Sequence, residues 1–118
     1  MENLQNLMDS IAEWSDKQFG EGRSPVPILH HLKKEVPELI EQLEKYQAMG
    51  LRDGGARDDA MVDSFYEFAD CFMLILDAAR CFGINAHILK EYTRLKLDIN
   101  KAREWGEPDE NGVVEHVR

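Results

Sequence analysis

The chain has 118 residues, 43% hydrophobic and 31% charged, with a formal net charge of −9. That length makes one domain, residues 1–118, with a single core and little protein to spare for covering all of its apolar surface. The acidic balance argues against nucleic acid or an anionic membrane as the main partner, and no apolar run approaches the ~20 residues that cross a bilayer. A nucleotide is not excluded, because a few local cations and bound metals can hold one phosphate chain.

Residues 3–18 read as a first helix, with Leu4, Leu7, Met8, Ile11 and Trp14 at helical spacing. Gly20 and Gly22 end it, and residues 20–27 are a loop by composition. A second helix is predicted from near Pro27, a residue suited to a first turn, to about Ala48. Pro37 lies inside it and crowds the carbonyl of Lys33, so a kink is expected between Glu35 and Glu38 rather than a break. Residues 49–58 read as a loop made flexible by Gly54 and Gly55. A third helix is predicted from an N-cap at Asp58 or Asp59 to Gly83. It is apolar on nearly every face and is expected to be buried. A fourth helix follows Asn85 and runs to about Glu104. Residues 106–112 are turn-rich, and Val113 to Arg118 are expected to extend against the body or a partner chain. The fold class is all-α: a bundle of four to five helices with an irregular C-terminal tail.

Cys71 and Cys81 fall on one predicted helix, ten residues or about 15 Å apart, too far for a disulfide within the chain. They are read as reduced core thiols of a cytosolic protein. The first ten residues carry neither a basic n-region nor a long apolar run, so no signal peptide is expected.

The third helix carries the sequence's main chemical signal. Glu67 and Asp70 stand three apart on one stripe, and Asp77 is seven beyond Asp70, close to the same stripe. Carboxylates on a buried helix are costly unless something positive meets them. A second pair of the same spacing, Glu35 and Glu38, lies on the second helix. Read blandly, each pair is a salt-bridged or solvated strip; read together, two pairs on two helices can converge on divalent cations. All four supply oxygen, which suits hard cations such as Mg²⁺. Zinc is disfavoured because no Cys or His stands at ligand spacing beside them. His30 and His31 form no Glu-x-x-His pair of the di-iron kind and are read as solvated or packing residues.

On the fourth helix Lys96, Asn100 and Arg103 share a face. By itself that is a solvated basic face near a helix C-terminus; beside a metal site it becomes a phosphate clamp. Trp14, Phe19 and Trp105 are core or interface aromatics by default, and one of them is a candidate to stack on a nucleobase. No P-loop, dinucleotide-binding or Ser/Cys triad motif is present.

The pairs Glu35-x-x-Glu38 and Glu67-x-x-Asp70 resemble the metal motif of the MazG-like all-α nucleoside triphosphate pyrophosphohydrolases. Residues 14–20, 31–35, 67–70, Lys96 to Trp105 and 114–118 further resemble the dATP/dGTP pyrophosphohydrolase subgroup, common in phages and prophages. The resemblance implies hydrolysis of a purine deoxynucleoside triphosphate, dGTP or dATP, to the monophosphate and pyrophosphate. It implies two or three Mg²⁺ (or Mn²⁺) ions per site on Glu35, Glu38, Glu67 and Asp70. On physical grounds a carboxylate not fully used as a ligand takes the water's proton, and Glu38 is the candidate. Trp14, Phe19, Lys33, Lys96, Asn100 and Arg103 are the expected substrate-binding residues. It also implies a homo-oligomer, a dimer or a tetramer built as a dimer of dimers, in a bacterial or phage-host cytoplasm. Lys34 departs from the pattern, since many MazG-like chains have an acid there. The alternative from the residues alone is a non-enzymatic acidic helical assembly or regulatory module.

Overall fold

The computed structural model describes residues 2–118. Its elements are α1 (Leu4–Phe19), α2 (Pro25–Ala48), a short 3₁₀ turn (Leu51–Asp53), α3 (Gly54–Phe82) and α4 (Ala86–Ala102). No strand occurs among the described residues, so the all-α expectation holds. The chain divides into two compact units, residues 1–85 and 86–118.

In the first unit, local chemistry sets the helix ends. Asn3 caps α1 by accepting from the Asn6 amide at 2.8 Å, and Gly20 receives the chain at φ 97°. Ser24 caps α2 from the Val26 amide at 3.2 Å. The helix therefore starts at Pro25, two residues before the expected Pro27. Both prolines sit in the first turn, where an amide has no intrahelical partner to lose. α2 runs unbroken through Pro37, as expected.

α3 begins at Gly54, several residues before the expected N-cap at Asp58 or Asp59. A local turn nucleates it. Asp53 accepts from the Gly50 amide at 2.8 Å while its own amide donates to the Gly50 carbonyl at 3.0 Å. At the other end Gly83 takes a left-handed φ of 97°. Its amide donates to the Arg80 carbonyl, and that of Ile84 to the Ala79 carbonyl, both at 2.9 Å. This is the paired Schellman closure that glycine favours.

α2 and α3 pack along each other, and α1 packs on α3. Gln42 donates to the Ala60 carbonyl at 3.1 Å, whereas Glu35 and Glu38 lie beside Glu67. As residue numbers fall on α2 they rise on α3, so the pair is antiparallel. Met8, Ile11, Ile28, Ala60, Leu76 and Ala78 form the buried apolar core of this unit. The expectation that α3 is buried on all faces is corrected. Val62, Phe65, Tyr66, Phe68, Phe72, Ile75 and Phe82 are exposed, because two neighbouring helices cannot cover every face of a 29-residue rod. Cys71 and Cys81 are free and half-buried rather than core thiols.

The second unit is α4 and a returning tail. The Gly106 amide donates to Glu115 at 2.8 Å, the Val117 amide to Glu104 at 2.7 Å, and Trp105 bridges antiparallel to His116. The tail thus doubles back on its own chain. Among the described residues no single helix is long and apolar enough to cross a membrane.

Candidate active site

α2 and α3 bring three of the four acids, Glu35, Glu38 and Glu67, to one place; Asp70 is not in that group. Carboxylate oxygens of Glu35, Glu38 and Glu67 all lie within 4.8 Å of one another. The one-turn spacing on α2 stacks the first two, and the antiparallel register brings Glu67 opposite them. Asp70, one turn on from Glu67, lines with Glu35 a cavity of ≈ 370 Å³ between the helices of the first unit. Cys71 senses the whole set. Burial pushes its thiol up, and the fields of Glu35, Glu67, Asp70 and Glu38 add to that.

The cluster is electrostatically unfinished. The hydrogen-bonded Glu35 side chain beside it, and then the charge of Glu35, raise Glu38 above the usual carboxylate range, with slight desolvation adding and His31 opposing. Glu67 Oε2 is buried with no hydrogen-bond partner among the described residues. His31 Nε2 meets Glu35 Oε1 at 3.1 Å. An all-oxygen set with an orphaned buried oxygen and mutually repelling neighbours fits a divalent cation of the hard class.

Asp77 does not belong to this set. It is 6% exposed, and its partners are two arginines and a serine. Ser15 Oγ donates to its Oδ2 at 2.7 Å, Arg23 Nη2 to the same oxygen at 3.0 Å, and Arg80 Nη2 to Oδ1. Arg80 Nη1 also holds Asp16 at 2.8 Å. Burial pushes the Asp77 carboxyl up, but the Ser15, Arg80 and Arg23 hydrogen bonds and the Arg80 charge outweigh it and hold the group below its ordinary value. For Arg80, burial pulls downward and the bonds to Asp77 and Asp16 outweigh it, so its pKa is raised.

The cavity wall is otherwise apolar. Trp14 and Phe19 meet edge to face at 5.6 Å between ring centroids, beside Pro27, Ile28, Met73 and Leu74. Both aromatics expected to bind substrate therefore stand at one cavity. Lys33 is exposed on α2 and is not among its lining residues. Lys96, Asn100 and Arg103 lie in the second unit. Lys96 and Asn100 line a groove on α4 with Tyr92, and Arg103 Nη1 donates to Asn100 Oδ1 at 3.4 Å. Trp105 Nε1 is tied to the Asn100 carbonyl at 2.9 Å.

Reading the sequence missed Arg23, Ser15 and the His31–Glu35 bond. Arg23 sits in a loop, where no periodicity marks it, and Ser15 on a helix looks like any polar position.

The sequence model of the dATP/dGTP pyrophosphohydrolase family matches residues 55–118. The chain belongs to that family. It is accordingly a nucleotide pyrophosphohydrolase, which sets aside the non-enzymatic module. The match spans Glu67, Asp70 and the α4 stripe of this pyrophosphohydrolase and stops short of Glu35 and Glu38; the clustering of those two with Glu67 is a property of the fold. No curated protein and no solved structure matches the chain.

Proposed function

We propose that this pyrophosphohydrolase cleaves purine deoxynucleoside triphosphates, dATP and dGTP, to the monophosphate and diphosphate at the carboxylate cluster. The observation that carries the reading is the meeting of Glu35, Glu38 and Glu67 within 4.8 Å, with Glu35 also lining a cavity beside Asp70, Trp14 and Phe19. A triphosphate is strongly anionic, and so is this site, so cations must stand between them. Glu35, Glu38, Glu67 and Asp70 would hold two or three Mg²⁺ or Mn²⁺ ions. Such ions supply charge stabilisation at phosphoryl oxygens and bring the pKa of water toward neutrality.

The chain's residues account for the remainder. Glu38 is the exposed member of the cluster, and the neighbouring Glu35 raises its pKa, which suits a group that accepts a proton. It takes the proton from water as the water oxygen bonds to the α-phosphorus. The bond from that phosphorus to the α,β-bridging oxygen breaks, and diphosphate leaves with the electron pair. Trp14 and Phe19 offer the base an apolar face. Lys96, Asn100 and Arg103 serve the phosphates and sugar, with Lys33 as a further cation on the substrate's approach. The working form is a homo-oligomer, a tetramer arranged as a dimer of dimers or a dimer, that covers the exposed aromatics of α3. Its place is the cytoplasm of a bacterium or phage host.

Product analysis tests the reading. With Mg²⁺ and dGTP the expected products are dGMP and diphosphate, and dGDP with orthophosphate would refute it. Glu38→Gln and Asp70→Asn should each lower turnover by orders of magnitude while the helical circular dichroism stays intact.

A further inference from the structure

The cavity of the first unit has two ends of different chemistry. Glu35 and Asp70 form one, and Phe19, Arg23 and Asp77 the other. Seven residues of α3 separate Asp70 from Asp77, about 10 Å along the helix axis. That is room for a nucleoside laid along α3 with its α-phosphate at the carboxylates and its base beside Asp77.

Arg23 is held unusually firmly for a loop residue. Its Nε donates to the Gly20 carbonyl at 3.1 Å, and its Nη2 donates to Ser15 Oγ and to Asp77 Oδ2. The guanidinium lies 5.4 Å over the Phe19 ring. Its Nη1 makes no hydrogen bond among the described residues, although the side chain lines the cavity. Arginine is a donor only, so an acceptor is wanted there. The surrounding charge is already balanced, with Arg23 and Arg80 facing Asp77 and Asp16. A neutral acceptor therefore fits this end better than a phosphate.

We propose that Arg23, positioned by Asp77, Ser15 and Gly20, is a specificity-determining residue that donates from Nη1 to N7 of the purine. Adenine and guanine differ at position 6, one carrying a donor and the other an acceptor, but both offer the N7 acceptor. N3 is also shared, yet it is crowded by the sugar and, in guanine, flanked by the 2-amino donor. Pyrimidines have no N7. One fixed donor aimed at N7 accepts both purines without reading position 6, and it rejects dCTP and dTTP for want of a partner. Stacking on Trp14 or Phe19 favours purines only by area, whereas this contact depends on a single atom.

The inference rests on the hydrolase reading, and the test separates the two. kcat/KM is measured with Mg²⁺ for dGTP, dATP and their 7-deaza analogues, in which C–H replaces N7. Calorimetry follows binding of dGMP and 7-deaza-dGMP. A charged donor's hydrogen bond is worth roughly tenfold to hundredfold, so the wild type should lose about that much on the 7-deaza substrates. In Arg23→Met the natural substrates should fall to the 7-deaza level and the penalty should vanish. Arg23→Lys keeps a cation beside Asp77 and serves if the methionine variant does not fold; it should retain only part of the penalty. Equal kcat/KM for dGTP and 7-deaza-dGTP in the wild type would overturn the proposal, as would an undiminished penalty in a folded variant. If no dNTP releases diphosphate, the hydrolase reading fails, and the calorimetry still decides: weaker binding of 7-deaza-dGMP upholds the N7 contact and equal binding refutes it.

Discussion

Replacing Asp77 by asparagine removes a charge from the only place in the first unit where two guanidinium groups converge on one buried carboxylate, among the described residues. Asp77's side chain is 8% exposed, so its attraction for Arg23 and Arg80 is poorly screened. Removing one partner of a buried ion pair costs about 3–5 kcal/mol. Arg23 and Arg80 are 22% and 23% exposed, and Arg80 keeps Asp16, so the low end applies: about 3 kcal/mol. With about 2.1 cal/mol/K of unfolding entropy per residue over 118 residues, Tm should fall by about 12 °C. Circular dichroism melts at fixed protein concentration measure it. The sign with pH follows from the lowered carboxyl. The folded group binds its proton more weakly than the unfolded one, whose pKa is about 3.9. The stabilisation is therefore complete above that value and is lost as pH falls through the lower, folded value. The gap between wild type and Asp77→Asn should hold from pH 7 to about 5 and close in stronger acid. A variant melting within about 3 °C of wild type at pH 7 would refute the view that this network holds α1, the following loop and α3 together.

Mg²⁺ or Mn²⁺ at a hundred times its Kd should stabilise the protein by about 2.7 kcal/mol, raising Tm by about 11 °C. Glu67→Gln should abolish most of that rise, and an unchanged melt with metal in the wild type would defeat the cation assignment. Light scattering at micromolar concentration should show an oligomer; a monomer would leave the exposed aromatic face of α3 without its proposed cover. Trp14→Ala should narrow the preference of dGTP over dCTP without removing the part set by Arg23, because base stacking on one aromatic is worth about 1–3 kcal/mol. Lys96→Ala and Arg103→Ala should instead weaken all four dNTPs together, as steady-state kcat/KM for the set would reveal.

Much of this was legible in the linear sequence because it depends on neighbours in the chain. The four helices follow from apolar spacing. Gly83 ends α3 because only a residue without Cβ takes a left-handed φ cheaply. The spacing of three in Glu35/Glu38 and Glu67/Asp70 puts each pair on one helix face before any fold is known. The helix starts were misplaced where a short-range turn overrode composition. Asp53 and Gly50 close a turn that lets Gly54 and Gly55 begin α3, and Ser24 opens α2 ahead of both prolines.

What joins positions far apart in the chain was decided by tertiary structure. Asp77 shares a helical stripe with Asp70, and by periodicity the two look equivalent. The antiparallel register of α2 and α3 sends Asp70 to the same cavity wall as Glu35, while α1 and its loop bring Ser15 and Arg23 to Asp77. Three carboxylates in a row thus became two systems, one balanced by arginines and one left short of positive charge. A charge's role depends on the potential around it, and that potential is summed over atoms the chain brings close only by folding.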